Sequence, residues 1–227
     1  MGEAEPRFEG AALGCVRGER RVFEGVSFRV RAGGALLLTG PNGSGKSSLL
    51  RLMAGLLKPA EGSLGWNGAP IADDWRAHGL RVHYVGHHDA LKPILTTQEN
   101  LAFWTALAIG QNPASRAVED RVAAALEGLG VLHLRHLPAR LLSAGQQRRV
   151  ALARTLAWFA PLWLLDEPTT ALDREGVALV IGAIERHRGA GGIVVLSTHA
   201  DLDLAGAEGL ELGRRRVAPD AMTEALS

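Results

Sequence analysis

Apolar positions along the chain fall into runs of two kinds. Short runs that end in small or polar residues recur at Ala35–Thr39, Arg81–Val85, Leu162–Asp166 and Ile193–Thr198. Each is too short for a helix and is bounded by Gly, Pro or polar residues, so each predicts a buried strand. Between them, Lys46–Leu57, Thr97–Ile109, Ser115–Leu129, Gly145–Trp158 and Arg174–Arg188 carry helical patterns. Strands alternating with helices predict a doubly wound α/β sheet with functional groups at the carboxyl ends of its strands. The first third differs: Ala11–Val16, Val26–Val30 and Ser63–Asn67, separated by Gly-rich turns, predict short antiparallel strands. Residues from about 91 to 158 hold helical patterns alone. They predict an α-helical subdomain inserted into a core made from 1–90 and 159–227, all within one domain spanning 1–227.

The length of 227 residues suits one large domain, and the 47% apolar and 22% charged residues suit a globular protein rather than a disordered one. The net charge is +1, with 25 basic against 24 acidic residues. No broad positive field follows from that balance, so no nucleic-acid partner is expected. The single cysteine, Cys15, excludes an internal disulfide or a thiolate metal cluster and fits a reducing compartment. The acidic start MGEAEPRFEG lacks the apolar core of a signal peptide. The longest uncharged apolar stretch, Thr155–Leu165, is about half of what spanning a bilayer requires. The expectation is a protein that can dock on a membrane protein without crossing the membrane itself.

The chemistry begins at Gly40-Pro41-Asn42-Gly43-Ser44-Gly45-Lys46-Ser47, which fits GxxxxGK[ST]. Such a loop wraps a phosphate chain with backbone N–H groups, its glycines permitting the dihedrals and the close approach, while the following helix adds its positive end. Lys46 supplies a point charge for the β- and γ-phosphates, the Ser47 hydroxyl can ligate Mg²⁺, and Ser48 extends the nucleotide-binding set. The preceding run Ala35–Leu38 and the following Leu49, Leu50, Met53 and Leu56 supply the strand, loop and helix that this chemistry needs.

A second half-site is legible in Leu162-Trp163-Leu164-Leu165-Asp166-Glu167-Pro168, an apolar strand ending in two carboxylates. At the carboxyl edge of a sheet, Asp166 can serve the Mg²⁺ shell, and Glu167 can orient or deprotonate an attacking water. His199 follows another buried strand and could hydrogen-bond the γ-phosphate. Ser143 is a good N-cap for the helix after Gly145, a second anion-binding helix terminus on a chain with one phosphate loop.

Leu142-Ser143-Ala144-Gly145-Gln146, followed by Gln147-Arg148-Arg149-Val150-Ala151-Leu152-Ala153-Arg154, resembles the signature segment of ATP-binding cassette (ABC) ATPases. Together with GPNGSGKS, LLDEP, Ala171-Leu172-Asp173 and His199, the order and spacing are similar to that family over nearly the whole chain. The resemblance implies a P-loop NTPase (RecA-like) core with an antiparallel β subdomain and an inserted α-helical subdomain. It implies ATP and Mg²⁺ as ligands and a head-to-tail homodimer, in which Ser143, Gly145 and Gln146 of one copy bind the γ-phosphate held by the other. On the same resemblance Glu167 is the catalytic base, His199 the switch histidine, Asp173 the D-loop residue at the dimer seam, and His87 stands at the Q-loop position. Two positions depart from the family. Gly14-Cys15-Val16-Arg17 offers no aromatic for adenine, though Arg17 could stack by its guanidinium plane. Where the family has glutamine, Gly86-His87-His88 stands.

The segment Tyr84–Leu101, with the short length and LSAGQQRRVALAR, is similar to the ATP-binding subunits of haem-exporter systems in bacterial cytochrome c maturation. That implies a peripheral subunit on the cytoplasmic face of the inner membrane, bound to CcmB- or CcmC-like integral membrane subunits. Thr96 with Glu99 predicts a capping box opening the next helix, which fixes the loop carrying His87 and His88. Those adjacent histidines read as partner or γ-phosphate coupling, as a solvated loop, or as haem or metal ligands. Three alternatives stay open on sequence: an ABC subunit for another substrate, a soluble ABC protein acting on ribosomes or DNA, and a nucleotide-binding assembly module without turnover.

Overall fold

In the computed structural model, which describes residues 6–198, 202 and 204–213, the chain runs through fifteen strands and α-helices. They are β1 (Arg7–Arg17), β2 (Arg20–Arg31), β3 (Ala35–Thr39), α1 (Lys46–Met53), β4 (Glu61–Trp66), β5 (Ala69–Pro70), α2 (Trp75–Leu80) and β6 (Val82–Val85), then α3 (Thr97–Ile109), α4 (Arg116–Gly128), α5 (Ala144–Ala157), β7 (Leu162–Asp166), α6 (Arg174–Gly189), β8 (Ile193–Ser197) and β9 (Glu208–Glu211). The four apolar runs of the sequence lie in one parallel sheet of order β6-β7-β8-β3-β9, and the glycine-rich first third forms an antiparallel sheet of order β2-β1-β4-β5.

The parallel sheet explains why its strands read as unbroken apolar runs: every residue of β7 and β8 is buried. Alternation divides them between two cores. Leu36, Leu38, Leu162, Leu164, Ile193 and Val195 face α1 and the antiparallel sheet, packing with Phe8, Leu13, Leu49, Leu50 and Met53. Trp163, Leu165, Val194 and Leu196 face the other way, onto Leu101, Val122, Leu126, Val150 and Ile184 of the helices.

Several elements depart from the expected bounds. The first two strands are long, 11 and 12 residues, and accommodate their turns through register shifts near Gly10, Leu13 and Cys15, with Ala12 at φ 46°. The helix expected over Lys46–Leu57 ends at Met53, because Gly55 turns left-handed at φ 74° and leaves Leu56 exposed. Strand β9 and helix α2 have no apolar signature of their own: β9 is exposed at three of its four residues, and α2 is capped by the Asp74 side chain.

Between residues 97 and 157 the structure is helical, and α3 opens with the Thr96–Glu99 capping box. Arginine anchors this region to the sheet: Arg154 Nη2 donates to the Tyr84 carbonyl at 3.2 Å. Under the same helices, Trp163 lies between two buried histidines. His187 stacks on it at 4.0 Å, and His83 meets Trp158 at 4.3 Å while its Nε2 lies 3.0 Å from the Trp158 carbonyl. Burial lowers both imidazoles to about 4. Cys15 is likewise buried, and burial raises its thiol.

Candidate functional site

The loop after β3 is shaped by two crowded glycines. Gly40 sits at φ 126°, and a Cβ there would lie 2.2 Å from the Leu212 carbonyl oxygen just past β9. Gly45, the N-cap of α1, sits at φ 104° with Val22 and Phe23 of β2 against its Cβ direction. Neither place admits a side chain, so the loop must be glycine at both ends. Pro41, Asn42 and Gly43 are exposed at the rim, and Ser44, Ser47 and Ser48 are half-buried. Lys46 is buried, its Nζ donating to the carbonyls of Gly40 at 2.8 Å and Pro41 at 3.2 Å. The ammonium is thus folded across the loop that its own backbone forms, where an incoming anion can take over its donors.

The carboxyl end of β7 reaches the same edge of the sheet. Strand β8 lies between β3 and β7, with its Ser197 in register with both Leu38 and Asp166. Ser197 Oγ donates to Asp166 Oδ1 at 2.6 Å and accepts from the Glu167 N–H at 2.9 Å. Asp166 is buried, and its Oδ2 has no hydrogen-bond partner among the described residues. A buried carboxylate oxygen left unmatched is costly unless a cation meets it. With the serine hydroxyls of the loop this is an all-oxygen donor set, which fits Mg²⁺.

Glu167 is held in an uncommon backbone state, φ 50°, a conformation that costs a non-glycine residue about 1–3 kcal/mol. Its N–H is fixed by Ser197 and its carbonyl by Arg148 Nη2 at 3.1 Å, while Thr170 Oγ1 donates to its carboxylate at 3.2 Å. The turn that follows contains Ala171 at φ 63°, and Asp173 caps α6 by accepting from the Gly176 N–H at 2.8 Å.

The signature segment builds a helix start. Ser143 Oγ accepts from the Gln146 N–H, and Gln146 Oε1 accepts from the Ser143 N–H at 2.9 Å, a reciprocal capping box. Ser143 and Ala144 are exposed, so the first turn of α5 presents a hydroxyl and free N–H groups to solvent. Gly145 packs on the following turn: a Cβ there would lie 2.6 Å from the Ala171 carbonyl oxygen. Within one chain, therefore, the signature touches the turn leading to Asp173.

His87 and His88 are exposed, with ring centroids 5.6 Å apart, and no group of three or more possible metal-ligating side chains occurs among the described residues. Arg17 is exposed at the end of β1. His199, expected in the site, and the basic triplet Arg214–Arg216 lie outside the described residues. Sequence reasoning missed Ser197, whose signal was a polar residue ending an apolar run opposite Asp166. It also missed the part played by Arg148, whose spacing to Ala151, Leu152 and Thr155 marks the buried face of its helix.

The ABC transporter family model matches residues 23–170. The cytochrome c biogenesis ATP-binding export protein CcmA of Paramagnetospirillum magneticum is 52% identical over 217 residues, covering 96% of this chain and 99% of that one. Its counterpart in Rhodospirillum rubrum is 56% identical, covering 96% and 90%. Among solved structures, an ABC transporter ATP-binding protein from Pyrococcus furiosus superposes with a TM-score of 0.76 at 27% identity, over 91% of this chain and 97% of that one. A bacterial Atm1-family ABC exporter with ATP bound gives 0.78 at 26% identity, over 94% of this chain and 38% of that one.

Proposed function

The chain belongs to the ABC transporter family, and from that premise we propose that it is the ATP-hydrolysing subunit of a membrane exporter serving cytochrome c biogenesis, with haem export or haem handling as its task. Two copies act head to tail on the cytoplasmic face of the bacterial inner membrane, on CcmB- or CcmC-like integral subunits. The region 91–158 is a helical, signature-bearing subdomain on a core of 1–90 and 159–227.

The observation that carries this reading is the meeting at Ser197. There the phosphate loop after β3 and the paired carboxylates at the end of β7 stand on either side of one strand end. ATP enters with its phosphate chain along Gly40–Ser48, and the Lys46 ammonium exchanges its two carbonyl acceptors for phosphate oxygens. Ser47 and Asp166 would hold Mg²⁺, which when bound neutralises charge on the phosphate chain. Glu167 accepts the proton of the water attacking the γ-phosphate, with its carboxylate steadied by Thr170 and its backbone by Ser197 and Arg148. His199 orients the γ-phosphate. The first turn of α5 in the second copy closes the site with Ser143, Gly145 and Gln146, and Asp173 lies at the seam.

Docking onto membrane subunits has support in α3, which leaves Phe103, Trp104 and Leu107 exposed, with Ile94 exposed in the loop before it. Asn100 knits the end of the preceding loop to this helix, its Nδ2 donating to the Lys92, Leu95 and Thr96 carbonyls. No helix among the described residues is long and apolar enough to cross a membrane.

Substituting Glu167→Gln tests the chemistry. ATP binding should persist while turnover falls by about 10²–10⁴-fold, the usual weight of a general base. A wild-type rate would remove Glu167 as the base. A deletion strain that still makes c-type cytochromes would remove the pathway.

A further inference from the structure

Arg148 lies five residues after the Ser143 cap, on the buried face of α5, and is 4% exposed. Its two terminal nitrogens face two separate parts of the site. Nη1 donates to the Gly86 carbonyl at 2.8 Å and to Asp89 Oδ1 at 2.9 Å, contacts that bracket His87 and His88. Nη2 donates to the carbonyls of Asp166 and Glu167, the second at 3.1 Å. Nε has no partner among the described residues. The Asp89 ion pair is itself largely shielded from solvent, so screening by water does not dissolve it.

A guanidinium with four directed hydrogen bonds is a rigid fork, which a lysine ammonium cannot reproduce. It holds the carbonyl of Glu167, a residue in the left-handed region, from one side while Ser197 holds its N–H from the other. Without Arg148 the peptide after Glu167 is free to turn toward the extended conformation that a glutamate ordinarily prefers, and the carboxylate turns with it. The same fork makes the position of the His87–His88 loop and the orientation of Glu167 parts of one arrangement.

We propose that Arg148, paired with Asp89, is a positioning residue for hydrolysis: it fixes the backbone of Glu167 and ties it to the loop carrying His87 and His88. This rests on the reading of Glu167 as the base. It adds to that reading a link, internal to one chain, from the signature helix to the backbone of Asp166 and Glu167 and to the loop carrying His87 and His88.

The test uses the purified full chain, with steady-state ATPase kinetics, single-turnover rates and binding of a fluorescent ATP analogue. Arg148→Gln should lower kcat by about tenfold or more while KM and nucleotide affinity stay within about twofold, as expected for loss of a transition-state interaction alone. Arg148→Lys and Asp89→Asn should lower kcat by smaller factors. Placed on Glu167→Gln, Arg148→Gln should add no further loss to the residual single-turnover rate, because both act through one group. Should Arg148→Gln fail to fold, Arg148→Lys and Asp89→Asn carry the same comparison. The proposal is overturned by wild-type kcat in these variants, by nucleotide affinity falling in step with kcat, or by an equal further loss on Glu167→Gln. If Glu167→Gln alone turns over at the wild-type rate, it is the assignment of the base that has failed.

Discussion

Replacing Gly40 by alanine should damage the protein at the first residue of its phosphate loop, and the structure says by how much. The new Cβ would stand 2.2 Å from the Leu212 carbonyl oxygen, more than 1 Å short of ordinary contact, and the obstacle is backbone rather than the end of a flexible side chain. The φ of 126° adds its own cost of about 1–3 kcal/mol for a residue with a Cβ. Forcing the loop and the segment after β9 apart adds an overpacking cost of about 1–3 kcal/mol. Together about 2–6 kcal/mol should be lost in a urea melt followed by the fluorescence of the five tryptophans. If the chain escapes by moving the loop about 1 Å, the loss appears in kcat/KM instead, at about 10²-fold. Gly110→Ala is the control: its φ of 66° carries the left-handed cost of about 1 kcal/mol, but nothing lies within 4 Å of its Cβ. A Gly40→Ala protein with wild-type melting and wild-type kcat/KM would show that the Leu212 carbonyl is no wall and that the reasoning is wrong.

Asp166→Asn should leave the nucleotide-free melting temperature unchanged or higher, since it removes a buried charge with an unmatched oxygen, and should abolish the added stability that Mg²⁺ with ATP gives the native chain. Retention of that metal-dependent shift would count against the cation site. His83 and His187, lowered by burial to about 4, refuse protons that the unfolded chain accepts near 6.5. Stability should therefore be full above about pH 6.5 and fall as pH drops toward 4, by up to about 3 kcal/mol for each ring. His83→Leu should flatten that slope, and melts that coincide at pH 7 and pH 5 would contradict the burial argument. Phe103→Asp with Leu107→Asp should cost less than about 0.5 kcal/mol in stability at these exposed positions, yet abolish co-purification with membrane subunits. Undiminished co-purification would remove α3 as a docking face.

The parallel strands were the most legible part of the fold, because strands buried on both faces spell uninterrupted apolar words: Ala35–Thr39 and Leu162–Asp166 have the bounds that the pattern predicts. Helix α3 was bounded as well by a cap whose two side chains announce themselves three residues apart. Strand β9 could not be read, since its residues are mostly exposed and its partner, β3, is about 170 residues earlier in the chain. The phosphate loop, the Asp166–Glu167 pair and the Ser143 cap were legible as local motifs. Ser197 and the Arg148–Asp89 pair were not. Their meaning lies in register across a sheet and in contacts about 60 residues apart, which periodicity along one segment does not encode.

The burial of Cys15 has a practical consequence. A chain whose one thiol is shielded and hard to ionise is nearly silent toward maleimides and mild oxidants, so any cysteine introduced at an exposed position becomes the sole reactive handle. Ser143→Cys on one copy and Asn42→Cys, at an exposed position of the loop, on another could then be bridged chemically without stripping native thiols first, and a covalent pair that forms in the presence of ATP but not in its absence would report the closed arrangement directly on a gel.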